Sequence, residues 1–250
     1  MTWKKTGLTL FLIGISVLNI QAQVRLISAT RIKVDARYDS ISDIPMSGVL
    51  ASYKARMGVD VYRQIGECAQ PMTVLAPESL LTDFLADQLF LKANQLLPEG
   101  VDFSILNFGC IRAPLKEGPI RVSDIYKVMP FENELIILEV KGSDVLSVFK
   151  SVARSNGACV SNVLLEIKGK KVNHLQIGGE TLDPERLYRI ATMDYLANGN
   201  SGMSALLRAV KRTDTGLKIR DILIEQIEHL TAMGRKVDAQ LDGRIKTMTE

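Results

Sequence analysis

Histidine is almost missing from this sequence: His174 and His229 are the 2 present in 250 residues. A dinuclear hydrolytic centre needs several nitrogen and carboxylate ligands converging on ions ~3.5–4 Å apart. Neither histidine stands in a D-x-H, N-H-D, H-x-H or H-E-x-x-H pattern, so the chain lacks the donors for such a centre. Cysteine is scarce as well. Cys68, Cys110 and Cys159 are far apart and form no C-x-x-C pair, which excludes a zinc knuckle and a dense disulfide framework. One bridge is open to them in an oxidising compartment, with the pair undetermined and one thiol left over. No G-x-S-x-G elbow, no G-x-x-x-x-G-K-[ST] loop and no G-x-G-x-x-G turn occurs, which removes the usual serine-hydrolase, P-loop and dinucleotide templates. Charge of one sign is lacking too. The formal net charge is +3, falling to about +1 once Lys4 and Lys5 are removed with a leader, so there is no electrostatic footprint for nucleic acid.

What is present is an ordinary globular composition, 46% hydrophobic and 24% charged. Lys4 and Lys5 precede an apolar stretch, residues 8–18, and Ala22 offers a small residue for cleavage. That stretch is shorter than the ~20 residues needed to cross a bilayer, and no cysteine lies at the cut, so residues 1–22 read as a cleaved export signal rather than an anchor. The expected organisation is therefore an export signal, 1–22, and one domain, 23–250, in an exported, periplasmic or extracellular protein with no membrane attachment after cleavage.

Periodicity predicts strands at 24–35, 59–65, 103–106, 134–141, 163–168, 171–177 and 188–193. Helices are predicted at 44–57, from Pro77 to residue 96, from an N-cap at Ser143 to Arg154, and at 218–233. Gly169-Lys170 and Gly178-Gly179 read as hairpin turns. The fold class expected is α+β, with helices packed on a mixed, largely antiparallel sheet.

The informative residues lie in loops. Asn107-Phe108-Gly109-Cys110-Ile111-Arg112 puts a glycine where backbone turns tightly and ends on a guanidinium able to grip an anionic oxygen pair. Pro130-Phe131-Glu132-Asn133 presents a ring and a carboxamide two residues apart before a core strand. The bland alternatives are that Phe131 is core, that Asn107 braces its own loop, and that Arg112 is a solvated charge.

These segments resemble the N-x-G-G-I-R and P-F-x-N motifs of the 5'-nucleotidase C-terminal domain, at a similar interval. The stretch from Glu78 to Asp87 is similar to that family's E-S-x-L-G-N-L-x-A-D helix start. Tyr195 with Gly199-Asn200-Ser201-Gly202 resembles its G-G-D-G loop, and Gly243-Arg244-Ile245 its closing segment. The resemblance implies the nucleotide-recognising half of a secreted 5'-nucleotidase. Nucleoside monophosphate would be its ligand, with divalent metals held by a separate metallophosphatase chain and no cofactor in this one. A stand-alone nucleotide-binding module is the alternative. Phe131 and Tyr195 would sandwich the base, Asn133 would bond its edge, and Arg112 would face the ribose-phosphate end. Gly157 would line the base pocket, with Asn107, Gly109 and Ser201 completing the site. Three departures stand out. Ser201 replaces the loop aspartate, Thr82-Asp83 replaces Gly-Asn, and residues 68–72 lack the further arginines that secreted members carry.

Overall fold

Ser79 opens the strongest helix of the chain through a reciprocal cap: its hydroxyl accepts from Thr82 N–H, and the Thr82 hydroxyl accepts from Ser79 N–H at 2.9 Å. The helix therefore begins at Leu80, not at Pro77, because this pair satisfies the first-turn donors that a proline start would leave to water. The computed structural model describes residues 28, 30–33, 37, 43–56 and 58–248. The export-signal reading and most of the strand expected at 24–35 lie outside these residues; Ser28 and residues 30–33 have no regular structure.

The chain divides into two units, Met1–Tyr53 and Lys54–Glu250. Helix α1 (Ile44–Arg56) starts where the Asp43 carboxylate accepts from Met46 N–H.

In the second unit a 3-10 turn, Val59–Tyr62, stands where the Val59 and Val61 alternation suggests a strand. Arg63 N–H bonds the Asp60 carbonyl and closes the turn, and two alternating residues are too short a pattern to decide the matter. Then follow β1 (Gln64–Cys68), α2 (Leu80–Leu96), β2 (Phe103–Leu106), β3 (Gly118–Arg121), α3 (Val122–Val128), β4 (Glu134–Lys141), α4 (Gly142–Arg154), β5 (Cys159–Ser161), β6 (Val163–Lys168), β7 (Lys171–Ile177), β8 (Glu180–Thr181), β9 (Leu187–Met193), α5 (Asp194–Ala197), β10 (Lys211–Lys218), α6 (Ile219–Ala232) and β11 (Ile245–Met248). The central sheet runs β10-β4-β9-β2-β5, a second runs β11-β6-β7-β8, and β1 pairs with β3. All neighbours are antiparallel except β2 with β9 and β6 with β11. This is the mixed, largely antiparallel α+β arrangement that the sequence pattern implies.

All four residues of β2 are buried because the strand is covered on both faces. Phe103 meets Phe149 of α4 with ring centroids 5.5 Å apart, while Ser104, on the opposite face, bonds the Ala86 carbonyl of α2 at 2.7 Å. α4 buries Val145, Val148, Phe149 and Val152, a stripe at helical spacing. Its first residue is Gly142, not Ser143. The N–H groups of both bond carbonyls of the 183–186 loop, which approaches so closely that a Cβ on Gly142 would lie 1.9 Å from Asp183 O. Neighbouring backbone takes the capping role expected of the serine.

The helix expected at 218–233 is α6, with Lys218 and Met233 as its caps. Leu96, the last residue of α2, is exposed although apolar.

Candidate functional site

Strands β4 and β9 lie side by side, with Leu135 opposite Met193. The loop entering β4 and the loop leaving β9 therefore emerge at the same end of the sheet, and between them lies a cavity of about 400 Å³. Asn107, Gly109, Cys110, Phe131, Asn133, Met193, Tyr195 and Ser201 line it. Its size falls within the range of small-molecule sites.

Phe131 and Tyr195 are 43% and 44% exposed, so neither is a core ring. Both rings instead border the cavity with part of their surface in solvent. The Arg112 guanidinium lies 5.5 Å from the Phe131 ring centroid, which holds a cation at the cavity rim. Asn133 directs its side-chain amide N–H to the Met193 sulfur at 3.3 Å, and its main-chain carbonyl accepts from Ile219 N–H at 3.0 Å.

Asn107 does not cap its own turn; its amide donates across the cavity to Ser201 Oγ at 3.0 Å. Its Oδ1 is buried without a partner. Ser201 adopts a positive φ of 54°, in the turn that follows α5. Gly157 is set apart from the lining. A Cβ there would lie 2.4 Å from Pro77 O and 2.9 Å from the Phe108 ring, at a φ of +128°. Its role is to let Phe108 pack behind the 107–110 turn, so it shapes the cavity from outside. Of the residues expected to meet, Gly157 is the one the fold keeps from the cavity wall, and Arg112 stands at the rim.

Two lining residues were not anticipated. Met193 ends β9 and reads as core from its apolar strand. Cys110 stands where the resembled motif has a second glycine. Burial pushes the Cys110 thiol up to about 12, so it is a neutral wall atom and not a nucleophile. Cys68, Cys110 and Cys159 are all buried and free.

A second polar cluster joins the start of α2 to the last strand. The Glu78 carboxylate accepts from the N–H groups of Asp242 (3.2 Å), Gly243 (2.9 Å) and Ile245 (3.1 Å). Arg244 donates to Asp87 and Asp242, both at 2.8 Å, and to the Val160 carbonyl at 2.8 Å. Asp83 is buried, with one carboxylate oxygen unpartnered. Burial pushes its carboxyl up to about 8 against the pull of the Arg244 guanidinium, and the neighbouring Glu78 and Asp242 carboxylates add to the rise.

Among the described residues, Glu78, Asp83 and Asp242 are the carboxylates that converge, with oxygens within 4.8 Å of one another. They do not suit a hydrolytic metal pair. Backbone N–H groups and the Arg244 cation already hold the Glu78 and Asp242 oxygens, and the two histidines stand elsewhere, His174 on β7 and His229 on α6.

Residues 64–208 match the family described as 5'-nucleotidase, C-terminal domain. The chain is 34% identical over 143 residues to the protein UshA of Yersinia enterocolitica, covering 55% of this chain and 26% of that protein. It is 28% identical over 204 residues to the trifunctional nucleotide phosphoesterase YfkN of Bacillus subtilis, covering 74% and 13%. The crystal structure of a 5'-nucleotidase precursor from Thermus thermophilus superposes with a TM-score of 0.74 at 25% identity, covering 83% of this chain and 44% of that one. The chain thus spans about a quarter of the length of UshA.

Proposed function

Because the chain belongs to the 5'-nucleotidase C-terminal domain family, we propose that it is the nucleotide-recognising half of an exported 5'-nucleotidase. The cavity carries this reading: two half-exposed rings, a carboxamide and a guanidinium gathered around one space. A nucleoside monophosphate enters with its base between Phe131 and Tyr195. Stacking on a protein ring contributes ~1–3 kcal/mol per base and tolerates different bases. Asn133 bonds the base edge, Asn107 and Ser201 close the far side, and Arg112 meets the ribose-phosphate end with a charge-assisted bond.

Hydrolysis to nucleoside and phosphate then falls to metals held by a separate metallophosphatase chain, since the described residues do not furnish a dinuclear site. Export rests on the Lys4, Lys5 and apolar 8–18 pattern. Among the described residues, no helix is long and apolar enough to cross a membrane.

Calorimetric titration of the chain with nucleoside monophosphates, with and without the metallophosphatase, tests the proposal. Heat of binding is expected for the chain alone, and phosphate release only with both. No binding in either setting overturns it. Binding that never leads to hydrolysis with any metallophosphatase favours the stand-alone module instead.

A further inference from the structure

The backbone ladder that positions the two walls of the cavity stops at the Leu135–Met193 pair. Beyond it nothing in the sheet fixes how far the loops splay. Each wall is anchored on its outer side by its own set of bonds. Ile219 N–H holds the Asn133 carbonyl, Lys218 Nζ reaches the Glu132 carbonyl at 3.2 Å, and the buried Arg220, stacked over the Tyr126 ring, grips the Glu132 carboxylate. On the other wall, the Asn200 amide holds the Tyr195 carbonyl at 2.9 Å. Besides the Asn133 amide on the Met193 sulfur, one oxygen accepts from both walls. Asp194 Oδ1 accepts from Glu134 N–H at 3.3 Å, next to Asn133, and from Tyr195 N–H at 2.8 Å.

We propose that Asp194 is a positioning residue whose single oxygen sets the gap between Phe131 and Tyr195 to the thickness of one flat heterocycle. The inference rests on the nucleotide-binding reading of the same cavity. Stacking needs both ring faces at van der Waals distance, about 3.5–4 Å from the ligand plane, and a gap of 0.5–1 Å already forfeits roughly a quarter to a half of the dispersion attraction. A tie between the walls is therefore worth most to a ligand that touches both, and nothing to one that touches neither. The position of the oxygen carries the role, because both groups it holds are neutral N–H donors, while the Arg212 and Lys218 cations that feel its charge stand apart from those two bonds.

The test compares Asp194→Asn, which keeps an acceptor at the same place without the charge, with Asp194→Glu, which keeps the charge but moves the oxygen by a methylene. Titrations of the full chain with adenosine monophosphate and with ribose 5-phosphate are read by calorimetry, and by the upfield shift of the base protons in the ligand's proton NMR spectrum. Asp194→Asn is expected to bind adenosine monophosphate within about threefold of the wild type with the upfield shift intact. Asp194→Glu is expected to lose about tenfold and most of that shift, while ribose 5-phosphate binding and the thermal midpoint hold. The proposal is overturned if Asp194→Glu binds as the wild type does, if both variants weaken alike, or if both ligands weaken equally. Should Asp194→Glu not fold, Asp194→Ala is held to the same expectations. Wild type that binds no nucleotide overturns the nucleotide reading with it. Binding that Phe131→Ala weakens and Asp194→Glu does not overturns the positioning role alone.

Discussion

The Glu78–Arg244 cluster and the Phe131–Tyr195 cavity are both assembled from segments distant in sequence, yet they treat their polar groups in opposite ways. In the first, carboxylates and a guanidinium are consumed by the chain itself: Glu78 by three backbone donors, Arg244 by Asp87, Asp242 and Val160. In the second, rings stand half in solvent and a guanidinium rests on a ring at the rim with no carboxylate bridged to it among the described residues. Polar residues that close on themselves hold a fold together, and those left facing a concavity are available to something else. Both kinds arise from motifs of one family, so membership alone does not distinguish architecture from recognition.

The sharpest way to break this contrast is at Arg244. Arg244 is nearly buried although Asp87 and Asp242 are partly exposed, and its loss leaves Asp83 and the Val160 carbonyl uncompensated, so Arg244→Met is expected to cost about 3 kcal/mol in urea denaturation. Ligand affinity per folded molecule should stay unchanged. If affinity falls with stability, the two regions are not independent.

Asp83 sharpens the same point through pH. Its folded carboxyl titrates near 8, against an ordinary value of 3.8. The native state therefore keeps a proton that the unfolded chain releases between about pH 4 and 8. Stability is full below that window and falls as pH rises through it. The protonated acid has the shape of the asparagine that the family carries at this position. Asp83→Asn should thus remove the pH-dependent loss, raising stability at pH 9 by on the order of 3 kcal/mol and changing little at pH 4. Equal thermal midpoints for the two proteins at pH 9 would contradict this.

In the cavity the expected effects are smaller and fall on binding. Phe131→Ala should weaken nucleotide affinity by about 1–3 kcal/mol in calorimetry, with the urea midpoint nearly unmoved because the ring is half exposed. Least of all, Ser201→Asp restores the family's loop carboxylate as an acceptor for the Asn107 amide, and aspartate tolerates the positive φ found there. Affinity should rise by about 0.5–1.5 kcal/mol. A decrease would mean that Ser201 is adapted to a ligand the aspartate repels.

Much of this was legible beforehand, for identifiable reasons. β4, buried on both faces, announces itself by its Leu, Ile and Val content, and the hairpin of β6 and β7 by its Gly169-Lys170 turn. β10 was invisible. It is an edge strand reading Lys-Arg-Thr-Asp-Thr-Gly-Leu-Lys, with charge where alternation would show, which is how exposed edges avoid pairing with other chains. The short α3 escaped as well, since seven residues, Val122–Val128, carry less than two full turns of pattern.

At the cavity, the rings and amides stand in loops where their chemistry is conspicuous. Asp194 and Arg220 do not, because their importance lies in which backbone N–H or carboxylate they reach, and only the fold creates those distances. Gly157 shows the reverse case: its place in the motif suggested a pocket wall, whereas its neighbours, Pro77 and Phe108, show it to be a spacer behind one.

The pairing of β11 with β6 has a temporal side. Glu78 is made early in translation, but its three donors lie at residues 242, 243 and 245, and the sheet edge beside β6 stays bare until residues 245–248 exist. These contacts cannot form before residues 242–248 have left the ribosome. A ribosome stalled after residue 230 would hold a chain whose central sheet is complete in sequence and whose second sheet still lacks a border strand.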